Sequence, residues 1–399
     1  MAAAATRKTE GTLMESYDVI VVGGGLIGLS TAYRARKAGA SVIVIDRGPV
    51  GYEASSRATG YLSLRAETPT ESPLAQMAEK IWPTLDEELG YPTEWKQKGR
   101  LWAAFGDREL EDLKVTYDLF RKTDIPFEFI DTQACREVIP ILTPEVRAGI
   151  YTNRSGHANP QRVTQAFAWA FQDLGGVLLE HTPVHAVLTE GGKVTGVKTS
   201  SGVVHGGRVV LAAAAFNAKL MEPLGILFPV AAVRLEAMVT TPLPPAYDVC
   251  FIGNGISVRQ THRGNLHANG GPHEWVDLHA DQDPAKPNTP IIRNIARRIT
   301  EVFPVAASLQ MLRSWAGIVE LTPDLNTIVQ AFDTPSGLVA AAGAGHAFGM
   351  APSLGVALAE LALECRTTAP IEGLGLDRFA GLGTDWRAER NWQAGAYNT

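Results

Sequence analysis

Cysteine is scarce: Cys135, Cys250 and Cys365 are the three among 399 residues. Their spacing offers neither a disulfide framework nor a C-x-x-C metal clip, which excludes a small stapled scaffold and makes a reducing cytoplasm the expected compartment. No apolar run reaches the roughly 18–20 residues of a membrane-spanning helix. The opening MAAAATRKTEGTLME lacks the apolar core of a secretory signal, so residues 1–14 read as a flexible leader. An excess of one charge is missing too. The formal net charge is −6, with 36 basic and 42 acidic residues interspersed, and this excludes the basic footprint of a nucleic-acid binder. Repeats and low-complexity tracts are also absent. What remains, 45% apolar and 20% charged residues, is an ordinary globular composition in a chain long enough for two cores.

The most informative stretch is YDVIVVGGGLIGLSTAYRARKAGASVIVID, from Tyr17 to Asp46. DVIVV and SVIVID are short apolar runs suited to strands buried on both faces. Between them the spacing predicts a helix from about Leu26 to Ala38, with Gly39 just past its end. Gly23, Gly25 and Gly28 stand as G-x-G-x-x-G at the strand-to-helix turn. In such a turn the first glycine permits the tight bend, the second lets backbone N–H groups approach a pyrophosphate, and the third lets helix and strand pack closely. Leu26 and Ile27 open the helix, whose N-terminus favours phosphate. Asp46 ends the second strand, 18 residues beyond the last glycine, where a carboxylate meets ribose hydroxyls. That acid would repel a 2′-phosphate, so NADP is disfavoured. The motif by itself leaves NAD and FAD open.

Further along, DRELEDLKVTYDLFRKT reads as an amphipathic helix with Leu110, Leu113, Tyr117 and Phe120 on one face. NPQRVTQAFAWAFQDLG reads as another, capped by Asn159 with Pro160 at its first position and Val163, Phe167, Ala170 and Leu174 inward. From Val184 to Ala214 the period changes to short strands broken by Gly-Gly and Ser-Gly turns, an antiparallel meander. Residues 228–280 are again strand-like, with ISVRQTHRGNLHANGG a hairpin, and DQDPAKPNTP is a loop before the helix IIRNIARRITEVFP. His262, His267, His273 and His279 crowd this region, but their spacing matches no standard metal site, and no metal is expected.

Three later segments carry a family resemblance. They are DRGPVGYEASSRATGYLSLRAE, the meander ending VVLAAAAFNAKL, and RSWAGIVELTPDLNTIVQ followed by GLVAAAGAGHAFGMAPSLGVALAELAL. With the glycine motif, they resemble the FAD-dependent D-amino-acid oxidase superfamily, most closely its branch of glycine oxidases, sarcosine oxidases and sarcosine oxidase β-subunits. The resemblance covers nearly all of residues 17–380. It implies an α/β, two-domain (α+β) fold: a Rossmann-like FAD-binding domain from residues 15–85, 150–220 and 315–385, and a discontinuous antiparallel-sheet substrate domain from 86–149 and 221–314. Residues 386–399 would form a C-terminal tail.

The same resemblance implies that FAD is wrapped by Arg47, Ser55, Ser56, Arg57, Ala58, Thr59 and Gly60, met by Val184 at the adenine and by Ala213 in the turn that follows the meander. Ala214 stands where that turn usually has glycine, and Phe216 where it has tryptophan, so a small displacement is expected. Gly345, His346, Phe348, Gly349 and Met350 would form the loop whose N–H groups face the flavin N1–C2=O edge, with His346 shaping the loop rather than serving as acid or base. Gly317 falls about where monomeric sarcosine oxidases carry a flavin-linking cysteine, so FAD is expected to be noncovalent.

The implied reaction is oxidation of a C–N bond in an amine or amino acid, primary or N-alkyl, by hydride transfer to flavin N5, giving an imine that hydrolyses. The chain departs from the family at two substrate anchors. Val319 stands for the arginine of glycine oxidases and Gly349 for the lysine of monomeric sarcosine oxidases. The remaining substrate candidates are Arg65, Arg259 and Tyr61; no catalytic acid or base is assigned. Partners implied are a small-molecule substrate, oxygen or another electron acceptor, and, from IVELTPD, a partner subunit. The alternatives are a same-fold FAD enzyme acting on a hydroxy acid or other non-amine, an electron-passing subunit of a multisubunit dehydrogenase, and a nicotinamide dehydrogenase.

Overall fold

The computed structural model describes residues 16–62, 68–122, 125–278 and 285–398. Its first layer is a six-stranded sheet ordered Val177–Leu179, Val42–Ile45, Val19–Val22, Val209–Leu211, Leu338–Ala342 and Ile328–Ala331. The first five strands are parallel, and Ile328–Ala331 is antiparallel at the edge. The runs VIVV, VIVI, VVL and LVAAA are buried at every position, as strands covered on both faces must be. Alternation divides them. Val19, Val21, Val42 and Val44 pack against the helices Leu26–Lys37, Pro160–Asp173 and Ala351–Glu364. Ile20, Val22, Ile43 and Ile45 face Val187, Val194 and Val197 of the meander instead.

The meander forms over Val184–Glu190, Lys193–Thr199 and Gly202–Gly206. Its expected last strand departs from the antiparallel pattern: Val209–Leu211 inserts parallel between Val19–Val22 and Leu338–Ala342. Three consecutive buried apolar residues suit a two-sided sheet better than the half-exposed meander. Asn159 caps the helix Pro160–Asp173, its side chain accepting from the N–H groups of Gln161 and Arg162 at 3.1 and 3.2 Å. Val163, Phe167 and Ala170 are buried as expected, but Leu174 is exposed, because the helix ends at Asp173 and the chain turns outward. Leu110, Leu113, Tyr117 and Phe120 pack together on the helix Asp107–Phe120.

The second layer is a ten-stranded sheet. Its centre is the long strand Ala231–Pro242, paired antiparallel with Met311–Leu321, Asn265–Gly270 and His273–Val276. Ile256–Gln260 and Cys250–Gly253 continue it, followed by Arg100–Ala104, Ala148–Thr152 and Glu128–Asp131. The helix Thr289–Val302 closes one face by burying Ile291, Ile292, Ile295, Ile299 and Val302 at helical spacing. Leu266 and Ala268 point to that helix-covered core; Asn269, one residue on, lines the cavity on the opposite face. That second face meets the parallel sheet, and the cavity lies between the layers. Among the described residues no helix is long and apolar enough to cross a membrane.

Candidate functional site

The cavity has a volume of about 640 Å³, within the range of small-molecule and cofactor sites. One end lies at the glycine turn. Gly23 has φ +108°, and a Cβ there would sit 2.4 Å from the Ala212 carbonyl oxygen. A Cβ on Gly28 would come within 2.0 Å of the Gly23 oxygen, so strand and helix touch backbone to backbone. The helix begins at Leu26 with Gly25 as its cap and no capping side chain of its own; instead the Leu26 N–H donates to Ser55 Oγ at 2.8 Å. Asp46 Oδ2 accepts from the Gly24 N–H at 2.6 Å, and Oδ1 from the Gly48 N–H at 2.8 Å. Burial raises its pKa in spite of these bonds. Arg47 stacks 4.0 Å over the Phe216 ring and pairs with Glu53 at 3.0 Å. Ala214 adopts φ +52°, the left-handed conformation glycine takes more easily.

At the other end the antiparallel sheet supplies Leu235, Ala237, Ile252, Ser257 and Asn269, with Tyr61 across from them. Arg57 ties the two layers. Its guanidinium donates to the Tyr52 and Ala316 carbonyls at 2.8 and 2.5 Å, and its own carbonyl accepts from Trp315 Nε1 at 2.9 Å. Gly317 and Val319 line the cavity beside it.

Two buried carboxylates hold the loop between Leu338–Ala342 and the helix Ala351–Glu364. Glu320 Oε1 accepts from the Gly343 N–H at 2.7 Å, while burial raises the Glu320 pKa. His346 Nδ1 lies 2.9 Å from the Ala344 carbonyl, and its Nε2 lies 2.8 Å from Glu71 Oε2. Glu71 is fully buried and also accepts the Thr327 N–H at 2.5 Å. Burial pulls its pKa up, but the His346 hydrogen bond and charge, with the Thr327 N–H, hold it below the usual carboxylate range. A carbonyl only accepts, so Nδ1 is the donor to Ala344, and Nε2 facing a carboxylate held below its usual range suits an imidazolium–carboxylate pair.

Of the residues expected at the cofactor, Gly23, Gly25, Leu26, Ile27, Asp46, Arg47, Ser55, Arg57, Ala58, Thr59, Gly60, Val184, Ala213, Gly345, His346 and Phe348 all line this one cavity. Gly28, Ser56, Gly349 and Met350 are not on its wall. Gly28 packs on Gly23, the Gly349 carbonyl accepts from Trp82 Nε1 at 2.6 Å, and Met350 is wholly buried. Among the substrate candidates Tyr61 lines the cavity, Arg259 lies behind its wall, and Arg65 falls outside the described residues. Among the described residues no group of three or more potential metal ligands occurs. Sequence reasoning missed Glu71, Lys219, Glu320, Ser257 and Asn269. Glu320 stood inside the quoted IVELTPD, and nothing local marked the others.

Comparison with known proteins agrees with this geometry. The family model described as FAD dependent oxidoreductase matches residues 18–361. Sarcosine oxidase subunit beta of Rhodobacter capsulatus is 29% identical over 374 residues, covering 91% of this chain and 88% of the relative. Glycine oxidase of Geobacillus kaustophilus is 27% identical, covering 92% and 98%. Among solved structures, L-proline dehydrogenase from P. horikoshii superposes with a TM-score of 0.82 at 27% identity, over 95% of this chain and 99% of that one.

Proposed function

The chain belongs to the FAD-dependent oxidoreductase (DAO) family, and on that premise we propose that it oxidises the C–N bond of an amine or amino acid, releasing an imine that water hydrolyses. The observation that carries this reading is one continuous cavity joining the glycine turn and Asp46 to the face of the antiparallel sheet. The residues present suit FAD. Gly25 offers a bare backbone where a Cβ would meet Ser55 Oγ at 3.1 Å, and the helix N-terminus beside it favours the pyrophosphate. Asp46 would take the ribose hydroxyls and Val184 the adenine. Cysteine is missing at Gly317, which supports noncovalent attachment. When bound, FAD supplies the hydride acceptor for the carbon bearing nitrogen.

The chain's own contribution is placement. Leu235, Ala237 and Ile252 form an apolar floor that would exclude water from the reacting carbon, with Tyr61, Ser257 and Asn269 as the polar groups that orient the substrate. The imidazolium of His346, locked between Glu71 and Ala344, would shape the loop beneath the flavin rather than exchange protons. We assign the flavin-holding role to residues 15–85, 150–220 and 315–385, and substrate binding to 86–149 and 221–314. The name of the Rhodobacter relative supports a partner subunit, and buried free Cys135 and Cys250 support a reducing compartment such as the cytoplasm.

The test is anaerobic bleaching of the protein-bound flavin by a panel of D-, L- and N-methyl amino acids and simple amines, with hydroxy acids alongside. Bleaching by an amine or amino acid is expected. Bleaching by a hydroxy acid alone would overturn the reading, and a colourless protein that binds NAD would remove FAD from it.

A further inference from the structure

Residues 382–397 follow the stretch that matches the family, 18–361, and fold back onto the antiparallel sheet. Trp392 stacks on Trp275 with ring centroids 4.3 Å apart and planes 18° apart, and Trp386 meets Trp392 edge-on at 5.7 Å. Trp275 and Trp386 are buried, and Leu382 and Ala396 pack against the same cluster. Backbone pairing fixes the placement. The Trp275 N–H donates to the Ala396 carbonyl and the Gly395 N–H to the Trp275 carbonyl, both at 2.9 Å. Tyr397 then pairs antiparallel with Glu274 and covers the outer edge of His273–Val276. Arg387 closes the loop, donating to Asp277 Oδ1 at 3.0 Å and to the Trp392 carbonyl at 3.1 Å.

The sheet face under these rings is the one that also bounds the cavity. Side chains alternate along Ala231–Pro242, so Ala231, Val233, Leu235 and Ala237 share one side. Val233 lies opposite both Trp275 and Val319 in the strand pairing. Ala231 and Val233 pack with the tryptophans, whereas Leu235 and Ala237 line the cavity. Leu235 and Val319 belong to both, for they line the cavity and also pack against the tryptophan cluster. The row is continuous, and the cavity ends where the aromatic rings begin. Trp275, Trp386 and Trp392 do not line the cavity themselves. Indoles are large and rigid, and a close-packed interior yields little, so Leu235 and Val319 have firm support behind them.

We propose that residues 382–397, through Trp386 and Trp392, form the end wall of the substrate cavity and set the length of substrate it accepts. The inference rests on the C–N reading above, in which this end of the cavity receives the substrate, and adds a size limit to it. Trp386 and Trp392 are positioning residues: they hold Leu235 and Val319, and those two side chains meet the far end of the substrate. The substrates that fit are short ones, whose chains stop at Leu235 and Val319. Truncating Trp392 removes the stacked ring behind them and lets the cavity extend toward Trp275. No bond is made or broken at this wall.

The probe is a neutral series of unbranched amides from acetamide to hexanamide. It is titrated into the FAD-loaded protein and read by the shift in the flavin visible spectrum, with no turnover needed. Each methylene buried strengthens binding roughly fourfold. In the unmodified protein that gain is expected to stop before hexanamide. In Trp392→Ala it should continue for about two more methylenes, so hexanamide binds roughly tenfold more tightly than to the unmodified protein while acetamide is unchanged. Trp392→Leu keeps an apolar side chain there; it should give a smaller shift of the same kind, and it serves if Trp392→Ala does not fold. A gain that runs undiminished to hexanamide in the unmodified protein would overturn the proposal. So would a series that leaves the spectrum unmoved, or variants that change all lengths alike or none. A failure of the C–N reading shows separately, as no bleaching by any amine or amino acid, and leaves the amide profile as it is.

Discussion

Glu71→Gln isolates the charge of one buried carboxylate while keeping its shape. In the native protein Glu71 accepts from His346 Nε2 at 2.8 Å and from the Thr327 N–H at 2.5 Å, with its side chain fully buried. Glutamine can keep an oxygen for Thr327, but it then turns an NH₂ toward Nε2. His346 must lose that proton and accept instead, so an ion-pair hydrogen bond becomes a neutral one. Charge-assisted bonds contribute about 1.5–3 kcal/mol and neutral ones about 0.5–1.5 kcal/mol, so the expected loss is about 1–2 kcal/mol. Glu71→Ala is worse: it strands the Thr327 N–H and leaves the imidazolium unpaired, at about 3–5 kcal/mol.

The pH dependence carries the sharper test. The folded-state pKa of Glu71 is depressed, so its stabilisation is fully present above the unfolded carboxylate value of about 4.3 and is lost as pH falls through the lower folded value. Urea melts of the FAD-loaded protein should show the native protein losing this contribution only as pH falls below about 4.3, whereas Glu71→Gln, whose His346 has given up its proton, should already weaken below about pH 6.5, so the two curves are not parallel. Parallel curves, or an Glu71→Ala cost below about 1 kcal/mol, would refute the ion-pair assignment.

Other substitutions probe the glycine turn and its neighbours. Gly28→Ala places a Cβ 2.0 Å from the Gly23 carbonyl oxygen; backbone cannot yield as a side chain tip does, and protein recovered without flavin, or not recovered in soluble form, is expected. A yellow, normally melting Gly28→Ala would contradict the close approach. Asp46→Asn deprives either the Gly24 or the Gly48 N–H of its acceptor, costing about 1–3 kcal/mol and weakening FAD retention on gel filtration; unchanged retention would count against Asp46 at the ribose. Asn159→Ala removes the acceptor of two helix N–H groups and should lower stability by about 1 kcal/mol in a urea melt without altering the flavin spectrum.

The expectations that held are those written in short stretches of chain. Strand, glycine turn and helix followed one another within residues 17–46 because buried β-branched runs, a G-x-G-x-x-G turn and an apolar periodicity each act over a few residues. Asn159 and Pro160 marked a helix start for the same reason. Leu174 and Val209–Leu211 went differently where the decision was not local. A helix end and a two-sided sheet, not the residues' own preferences, set their environments.

By itself, then, the sequence determined the α/β class, the dinucleotide turn with Asp46, and the flavin family, since those are matters of local pattern and ordered motifs. The tertiary structure alone decided which side chains share a site. His346 meets Glu71 from 275 positions away, Arg259 meets Thr59 from 200, and Arg57 reaches Ala316 from 259. Such pairs depend on sheet register and on which faces are turned together. A charge buried at one of them has no sequence signature, because its partner is chosen by the packing of two layers rather than by its neighbours along the chain.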